Sequence, residues 1–87
     1  MYILLVYDVE EKRVAKACKF CRRYLQWVQN SVFEGELTDA KLARLKAGLD
    51  KIINKDEDSV LMYKFRTEDA FKKEVMGLEK NPTDNLI

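Results

Sequence analysis

The stretch YILLVYDV, residues 2–9, decides the fold. Residues 2–7 form an unbroken apolar run, which is typical of a strand in the interior of a sheet. Neither Gly nor Pro separates this run from Asp8. We therefore predict a strand over residues 2–8 that ends in a carboxylate, and the role of that carboxylate is the main question that the sequence raises.

The length of the chain, 87 residues, suits a single domain. A domain of this size buries only about 60 % of the surface that it exposes when unfolded, so pairing with a second copy is a common remedy for marginal stability. The sequence contains neither a membrane-spanning run nor a signal-peptide pattern. We expect a cytoplasmic protein that makes no membrane contact and keeps its two cysteines reduced.

The net charge of +1 hides a strong asymmetry. Residues 12–25 contain six basic residues and no acid, which leaves a net charge of −5 for the rest of the chain. The basic residues are Lys12, Arg13, Lys16, Lys19, Arg22 and Arg23. Solvated helices usually mix both signs of charge, so this segment could be a solvated face or a surface that contacts the phosphates of a polyanion.

An amphipathic helix is predicted over residues 12–25, where apolar side chains recur at helical spacing. These side chains are Val14, Cys18, Cys21 and Leu25. Residues 27–37 mix polar and apolar side chains in both strand registers, which indicates a bend, a bulge or two short strands. Gly35 is the expected position of a kink.

A second helix is predicted over residues 39–53, with Thr38 as its N-cap. Its apolar positions are Leu42, Leu45, Leu49 and Ile52, and Gly48 lies in its interior. Residues 59–65 read as a second buried strand. The intervening acids Asp56, Glu57 and Asp58 are expected in a solvated turn, with contact to a partner as the alternative.

The C-terminal segment is less regular. Residues 66–70 are predicted to form a loop, and residues 71–77 fit either a strand or a short helix. Residues 81–87 end in an apolar triplet that suits an edge strand. The order of elements is that of a ferredoxin-like α/β (α+β) sandwich, βαββαβ with an extra C-terminal edge strand. Both helices would cover one face of the sheet, and a second chain, sheet against sheet, would cover the other.

Cys18 and Cys21 form a Cys-x-x-Cys pair within the first predicted helix. Such a pair can be a redox motif or half of a zinc site. The chain has no other cysteine and no histidine to complete four ligands. We interpret both thiols as reduced core residues, since free cysteine is among the most buried residue types.

Asp8 has two interpretations from its position alone. It could cap the helix that begins near Glu10 or Glu11, which is frequent, or it could bind a ligand at the end of a central strand. A single Asp is a poor Mg²⁺ site, because Mg²⁺ is usually held by one or two carboxylates together with water and phosphate. A dimer axis nearby would supply a second carboxylate.

The segments YILLVYDV, the basic helix, WVQNSVFEGEL, TDAKLARL and DSVLMYKF together resemble the CRISPR-associated protein 2 family, the small ferredoxin-like partner of the CRISPR integrase. The resemblance runs in order from Met1 to about Phe65 and becomes less diagnostic after Arg66. It implies a homodimer with facing sheets, a core of residues 1–66, and a C-terminal segment, 67–87, that is exchanged between the two chains.

The resemblance also implies roles for individual residues. Asp8 matches the metal-binding aspartate of the family, and Tyr7 and Arg13 join it as candidate catalytic residues. Lys12, Arg13, Lys16, Lys19 and the Phe33 of the SVF motif are implied to bind nucleic acid. The implied cofactor is Mg²⁺, shared by Asp8 of both chains across the dimer axis.

Two functions from different classes remain open. One is a metal-dependent endonuclease that acts on single-stranded RNA or duplex DNA, in which Lys12 and Arg13 neutralise the phosphate and Tyr7 orients water or substrate. The other is a scaffold that holds DNA between integrase subunits during spacer acquisition, with Asp8 as a structural residue. Some relatives carry a basic residue where this chain has Trp27, which weakens the expectation of strong nuclease activity.

Overall fold

The structure, a computed structural model, describes residues 1–70 and 72–81. Its helices and strands, in chain order, are β1 (Tyr2–Asp8), α1 (Glu11–Cys21), β2 (Gln26–Gln29), β3 (Val32–Glu36), α2 (Asp39–Ile52) and β4 (Ser59–Phe65). The strands form one antiparallel sheet in the order β2-β3-β1-β4. The predicted α+β class and the βαββαβ order of elements are confirmed.

The central strand β1 pairs with β3 on one side and with β4 on the other. Successive side chains of a strand point to opposite faces, so β1 divides its residues between two environments. Ile3 and Leu5 are completely buried and Tyr7 is nearly so, whereas Leu4 and Val6 are half-buried. Asp8, which lies on the same face as Leu4 and Val6, is exposed.

Both helices pack on the face of the sheet that carries Ile3 and Leu5. The largest apolar contribution of α2 comes from Leu42, Leu45 and Leu49, all buried as their spacing predicts. Thr38 caps this helix, since its hydroxyl accepts a hydrogen bond from the Lys41 N–H at 3.2 Å. The remaining core residues come from the end of α1 and from the sheet: Cys21, Leu25, Phe33 and Leu37.

Gly48 allows α1 and α2 to approach closely. A Cβ atom at this position would lie 2.0 Å from Cζ of Phe20, well inside van der Waals contact. The ring of Phe20 also packs against Tyr24, with ring centroids 5.3 Å apart. The glycine that is unfavourable for helix propensity is therefore required by packing between the helices.

The helix α1 ends four residues earlier than predicted, at Cys21. Leu25 is buried although it lies beyond the helix, because the chain turns back and its N–H donates to the Cys21 carbonyl at 2.9 Å. A Cβ atom on Gly35 would lie 3.2 Å from Cδ2 of this leucine. The predicted kink at Gly35 is wrong: the residue lies inside β3, opposite Ile3, and serves close packing.

The segment 27–37 contains two strands and an irregularity, so two of the three predicted alternatives occur together. The pairing register of β2 and β3 shifts between Trp27 and Gln29. The turn lies at Asn30, which has a φ of 41°. Asn is one of the residues that tolerate this left-handed conformation.

The strand β4 is less buried than its sequence predicts. Leu61 and Tyr63 are each 52 % exposed, because they point to the face that carries no helix. We refer to this side of the sheet, with Leu4, Val6, Leu61 and Tyr63, as the open face. The prediction of a fully buried strand is wrong, since only the opposite face of β4 packs on the helical layer.

The segment after β4 contains a short 3₁₀ helix, Glu68–Ala70, where a loop was predicted. Residues 72–77 form neither the strand nor the helix proposed for them. The predicted edge strand and its exchange between chains depend on residues 82–87, which lie outside the described residues, as does residue 71. No helix in the part of the chain that the structure describes could span a membrane.

The side chain of Asp58 ties together three separate parts of the fold. Its oxygens accept hydrogen bonds from the backbone N–H groups of Glu10, at 2.9 Å, and Asn54, at 2.8 Å. They also accept from the Arg13 guanidinium, at 2.6 Å from Nε and 2.9 Å from Nη2. The carboxylate is completely buried, so the prediction of a solvated turn is wrong for Asp58.

Substitution of Gly48 by Ala is expected to destabilise the fold by about 1–3 kcal/mol, because the new methyl group displaces Phe20. Helix propensity alone would stabilise the variant by about 1 kcal/mol. Urea unfolding measures the difference, with Ala47→Gly as the control for propensity at an exposed neighbour. A Gly48→Ala variant that is more stable than the wild type would contradict the packing role.

The Asp58 tie is expected to weaken in acid. Hydrogen bonds from Arg13 and from two backbone N–H groups hold the pKa of Asp58 well below its ordinary value of 3.8. The folded chain therefore binds fewer protons than the unfolded chain, and this contribution to stability is present above the ordinary pKa and is lost as pH falls below it.

Urea unfolding of the wild type and of Asp58→Asn isolates this group from the other carboxylates, because Asn does not titrate. The difference in unfolding free energy between the two proteins should shrink between about pH 6 and about pH 2.5. A difference that stays constant over this range would show that the Asp58 charge contributes nothing to the fold.

Candidate nucleic-acid and metal site

Asp8 lies exposed at the end of β1, on the open face and opposite Ser59 of β4. It does not cap α1: the N-cap residue of that helix is Glu10, and the cap contains no side-chain hydrogen bond. The capping interpretation of Asp8 is therefore wrong. Its carboxylate is left available on the same face as the exposed side chains Leu61 and Tyr63.

Tyr7 does not accompany Asp8. As its neighbour in a strand, it points to the opposite face, where it is 5 % exposed and stacks on Phe33 with ring centroids 6.0 Å apart. Burial and a hydrogen bond with Cys18 raise the pKa of its hydroxyl above the ordinary value. Within one chain, this hydroxyl is a packing and hydrogen-bonding group of the core and is separated from the Asp8 carboxylate by the sheet.

Phe33 is completely buried at the centre of the hydrophobic core. Its ring packs between β1 and the helices, so the ring is not exposed for contact with a nucleic acid. We assign Phe33 a packing role that supports Tyr7 and Leu5.

Arg13 is the most constrained basic residue of α1. Besides Asp58, it donates to Glu57 Oε1 at 2.8 Å, and its side chain is only 17 % exposed. The three side chains together carry a net charge of −1. Arg13 therefore stands apart from the other basic residues, because its charge is already balanced by carboxylates.

Lys12, Lys16 and Lys19 are exposed on α1. They follow each other at intervals of four and three residues, which places them along one side of the helix. We call these three residues the lysine stripe. Its outward direction follows from the core positions Ala17 and Cys21, which occupy the opposite side.

Two further cations extend this surface beyond the helix. The Arg22 guanidinium lies over the ring of Trp27, 5.8 Å from its centroid, and that of Arg23 lies over Phe20 at 5.6 Å. An aromatic ring orients a guanidinium without cancelling its charge. The positive charge of the region therefore lies along the second half of α1 and just after it.

The end of β1 and the start of α1 have the opposite character. Five acids surround Lys12 and Arg13 in this neighbourhood: Asp8, Glu10, Glu11, Glu57 and Asp58. We call these five residues the acidic end of the site. From the sequence we predicted a role for Asp8 but not the buried position of Asp58. The sequence offers one indication of that position: Asp58 directly precedes β4, the strand that pairs with the end of β1.

A divalent cation would need more than one chain at this place. The described part of the chain contains no group of three or more His, Cys, Asp or Glu side chains that could hold a metal ion. The hard oxygen of Asp8 and its negative surroundings suit Mg²⁺, whose protein ligands are often one or two carboxylates. The residues fit the ion when two copies of Asp8 meet.

The cysteine pair is part of the core. Cys21 is completely buried, and burial raises the pKa of its thiol to about 12. Cys18 is partly buried and contacts the Tyr7 hydroxyl. This environment supports the interpretation of both residues as reduced core thiols, since a buried neutral thiol is a poor nucleophile.

Glu34 is a buried carboxylate that the sequence did not single out. It is 7 % exposed and accepts a hydrogen bond from the Tyr2 hydroxyl at 2.9 Å, with Lys73 at 3.3 Å from the same oxygen. Its other oxygen, Oε2, has no hydrogen-bond partner among the described residues. The contact with Lys73 attaches the C-terminal segment to the open side of β3.

Comparisons of sequence and of structure with known proteins point to the same family. The family model "CRISPR associated protein Cas2" matches residues 1–73. A CRISPR-associated endoribonuclease Cas2 of Thermococcus kodakarensis is 55 % identical over 87 residues, which is 100 % of both chains. One from Archaeoglobus fulgidus is 59 % identical over 80 residues, 92 % of this chain and 87 % of the relative.

Solved structures are similar over nearly the whole chain. A crystal structure of Cas2 superposes with a TM-score of 0.86 at 46 % identity and covers 94 % of this chain and 92 % of the other. Streptococcus pyogenes Cas2 superposes with a TM-score of 0.79 at 35 % identity, covering 88 % of this chain and 100 % of the other. The strand that ends in Asp8, the basic first helix and these similarities agree: the chain belongs to the CRISPR-associated protein Cas2 family.

Proposed function

We propose that this chain binds nucleic acid as a homodimer in the cytoplasm, together with the CRISPR integrase during spacer acquisition, and that it has Mg²⁺-dependent endonuclease activity. The observation that carries the proposal is the position of Asp8, exposed at the end of the central strand on the open face. The names of the relatives, CRISPR-associated endoribonucleases, support cleavage of phosphodiester bonds.

The open face supports the dimer. Leu61 and Tyr63 are half-exposed apolar side chains beside the half-buried Leu4 and Val6, and a sheet usually buries such a face against another layer. A second copy placed sheet against sheet would bury this patch and bring Asp8 near its twin. The C-terminal segment, residues 67–87, would contribute by exchange between the two chains.

Asp8 of both chains would hold the Mg²⁺ ion, and the acidic end of the site favours a cation there. When bound, the ion would neutralise phosphate charge and lower the pKa of a water molecule. Without the cation, two adjacent carboxylates would repel each other. The dimer thus supplies the second carboxylate that one chain lacks.

The lysine stripe would bind the phosphate backbone. Exposed lysines on one side of a helix contact phosphates without reading base sequence, and such contacts position the nucleic acid. The names of the relatives favour RNA as a substrate, and duplex DNA fits the role beside the integrase. In both cases the chain recognises the charge of the backbone.

A scaffold without catalysis is the second candidate, and one observation favours it. Tyr7 points into the core and Arg13 is neutralised by carboxylates, so two of the three predicted catalytic residues do not stand beside the Asp8 carboxylate. The dimer would then hold DNA between integrase subunits, with Asp8 as a structural residue.

Substitution of Asp8 by Asn separates the two candidates. We expect Mg²⁺-dependent cleavage of single-stranded RNA to fall by about a hundredfold or more, because the amide removes the anionic metal ligand from both chains. Fluorescent RNA and duplex DNA substrates measure cleavage, and an integration assay with the CRISPR integrase measures spacer acquisition.

Asp56→Asn is the matched control, since it makes the same substitution at an exposed position outside the acidic end. If Asp8→Asn abolishes cleavage while acquisition persists, catalysis is incidental to the scaffold. If both are lost, catalysis is part of the function. Cleavage at wild-type rate by Asp8→Asn would refute the metal role of Asp8.

Reversal of Lys16 and Lys19 to Glu should weaken nucleic-acid binding in a salt-dependent way. Loss of two phosphate contacts lowers the slope of log Kd against log salt by about 1.4 on single strands and about 1.8 on duplex DNA. Fluorescence anisotropy over a salt series measures the slope, with Lys41→Glu and Lys51→Glu on α2 as a control of equal charge. If binding changes neither with salt nor with the reversal of Lys16 and Lys19, the lysine stripe does not contact the phosphates.

A further inference from the structure

We infer that Asp58 is a positioning residue, which fixes the start of α1 against the end of β1 and so sets the relation of the lysine stripe to Asp8. Arg13 acts through Asp58 and does not contact phosphate. The inference deepens the proposed function and rests on it, because it concerns how the nucleic-acid surface and the metal ligand are held together.

Both oxygens of Asp58 are fully engaged in hydrogen bonds. Four hydrogen bonds reach its two oxygens from three parts of the chain: the α2–β4 turn, the N-cap residue of α1, and the Arg13 side chain. The carboxylate has no exposed surface. A carboxylate with this set of donors is fixed in place and takes part in no further binding.

The start of α1 has no side-chain cap of its own: the N-cap residue Glu10 makes no capping bond with its side chain. Asp58 supplies from the α2–β4 turn the anchoring that a cap usually gives, because it accepts a hydrogen bond from the Glu10 N–H. Only Val9 separates Glu10 from Asp8. Loss of the tie would allow the first turn of α1 to move relative to the strand end.

The charge of Arg13 is already balanced. Its guanidinium donates to Asp58 and Glu57, and the three groups sum to −1. An approaching phosphate would meet net repulsion at this point, whereas Lys16 and Lys19 lie farther along α1, beyond the acidic end of the site. The planar guanidinium of Arg13 binds both carboxylates in a fixed geometry, which a Lys ammonium group would not reproduce.

We expect opposite changes in nucleic-acid affinity from two substitutions that make the same change of charge. Asp58→Asn and Asp56→Asn each remove one negative charge from the same turn, and Asp56 is exposed. Simple electrostatics predicts tighter binding to a polyanion for both variants. We expect Asp58→Asn to weaken binding about tenfold, because the helix is displaced, and Asp56→Asn to bind at least as tightly as the wild type.

Arg13 provides a second test if Asp58→Asn does not fold. Arg13→Lys keeps the charge but loses the fork, and we expect it to weaken binding as Asp58→Asn does. Arg13→Gln should leave the salt slope at the wild-type value. If Arg13 contacts phosphate instead, Arg13→Lys binds like the wild type and Arg13→Gln lowers the slope by about 0.7–0.9.

Backbone hydrogen exchange gives a readout that does not depend on nucleic acid. The Glu10 and Asn54 amides, which donate to Asp58, should exchange faster in Asp58→Asn and Arg13→Lys at a temperature where circular dichroism shows both variants folded. If both variants are folded, have a lowered melting temperature and still bind nucleic acid like the wild type, the Asp58 hydrogen bonds only stabilise the fold. That result would overturn the inference.

The experiment distinguishes failure of the inference from failure of the proposed function. A wild-type protein that does not bind RNA or DNA refutes the proposed function. A wild-type protein that binds, with Asp58→Asn tighter than the wild type, refutes the positioning role alone.

Discussion

The alternation of side chains along β1 is the constraint on which the rest of the structure depends. Because β1 is paired on both edges, it cannot rotate, and each residue is committed to one face of the sheet. Ile3, Leu5 and Tyr7 face the helices and form part of the core, while Asp8 lies exposed on the open face. The same alternation that buries the Tyr7 hydroxyl therefore exposes the carboxylate that follows it.

The charge of α1 is divided between two tasks. Arg13, in the first turn, is held by Asp58 and Glu57 and fixes the helix to the sheet. The lysine stripe lies on the outer side of the helix and is exposed to solvent. A helix anchored at its start by an ion pair holds these lysines in a defined direction relative to the sheet.

The sequence predicted the elements that are determined by local periodicity. The bounds of β1, the apolar spacing in α2 and the Thr38 cap all depend on nearby residues, and the structure confirms each of them. The end of α1 was misplaced because Leu25 is apolar at helical spacing yet is buried by a turn of the chain. The packing roles of Gly35 and Gly48 were not predicted, since they depend on Leu25 and Phe20, which are distant in the chain.

The candidate site was predictable only in part, for the same reason. Asp8 and the lysine stripe follow from position in a strand and spacing along a helix. The partners of Arg13 do not, because Asp58 lies 45 residues away and an acid before a strand has no distinctive local pattern. Tyr7 was included in the site through the family resemblance, but as the neighbour of Asp8 in a strand it points to the opposite face.

In the proposed function, the active unit is a pair of chains that meet at their open faces. Cleavage and the holding of DNA would both use this pair, and they differ in whether the two Asp8 carboxylates act on a phosphate. Metal binding would report on the pairing of the two chains, since each chain provides one carboxylate, that of Asp8, at the end of β1.

The most direct test is the stoichiometry of divalent-metal binding, measured by electron paramagnetic resonance of Mn²⁺ on protein whose mass is determined by light scattering. The account predicts a dimer that binds one ion for every two chains and loses that ion when Asp8 is replaced by Asn. A monomer, one ion for each chain, or a site that survives the loss of Asp8 would contradict it.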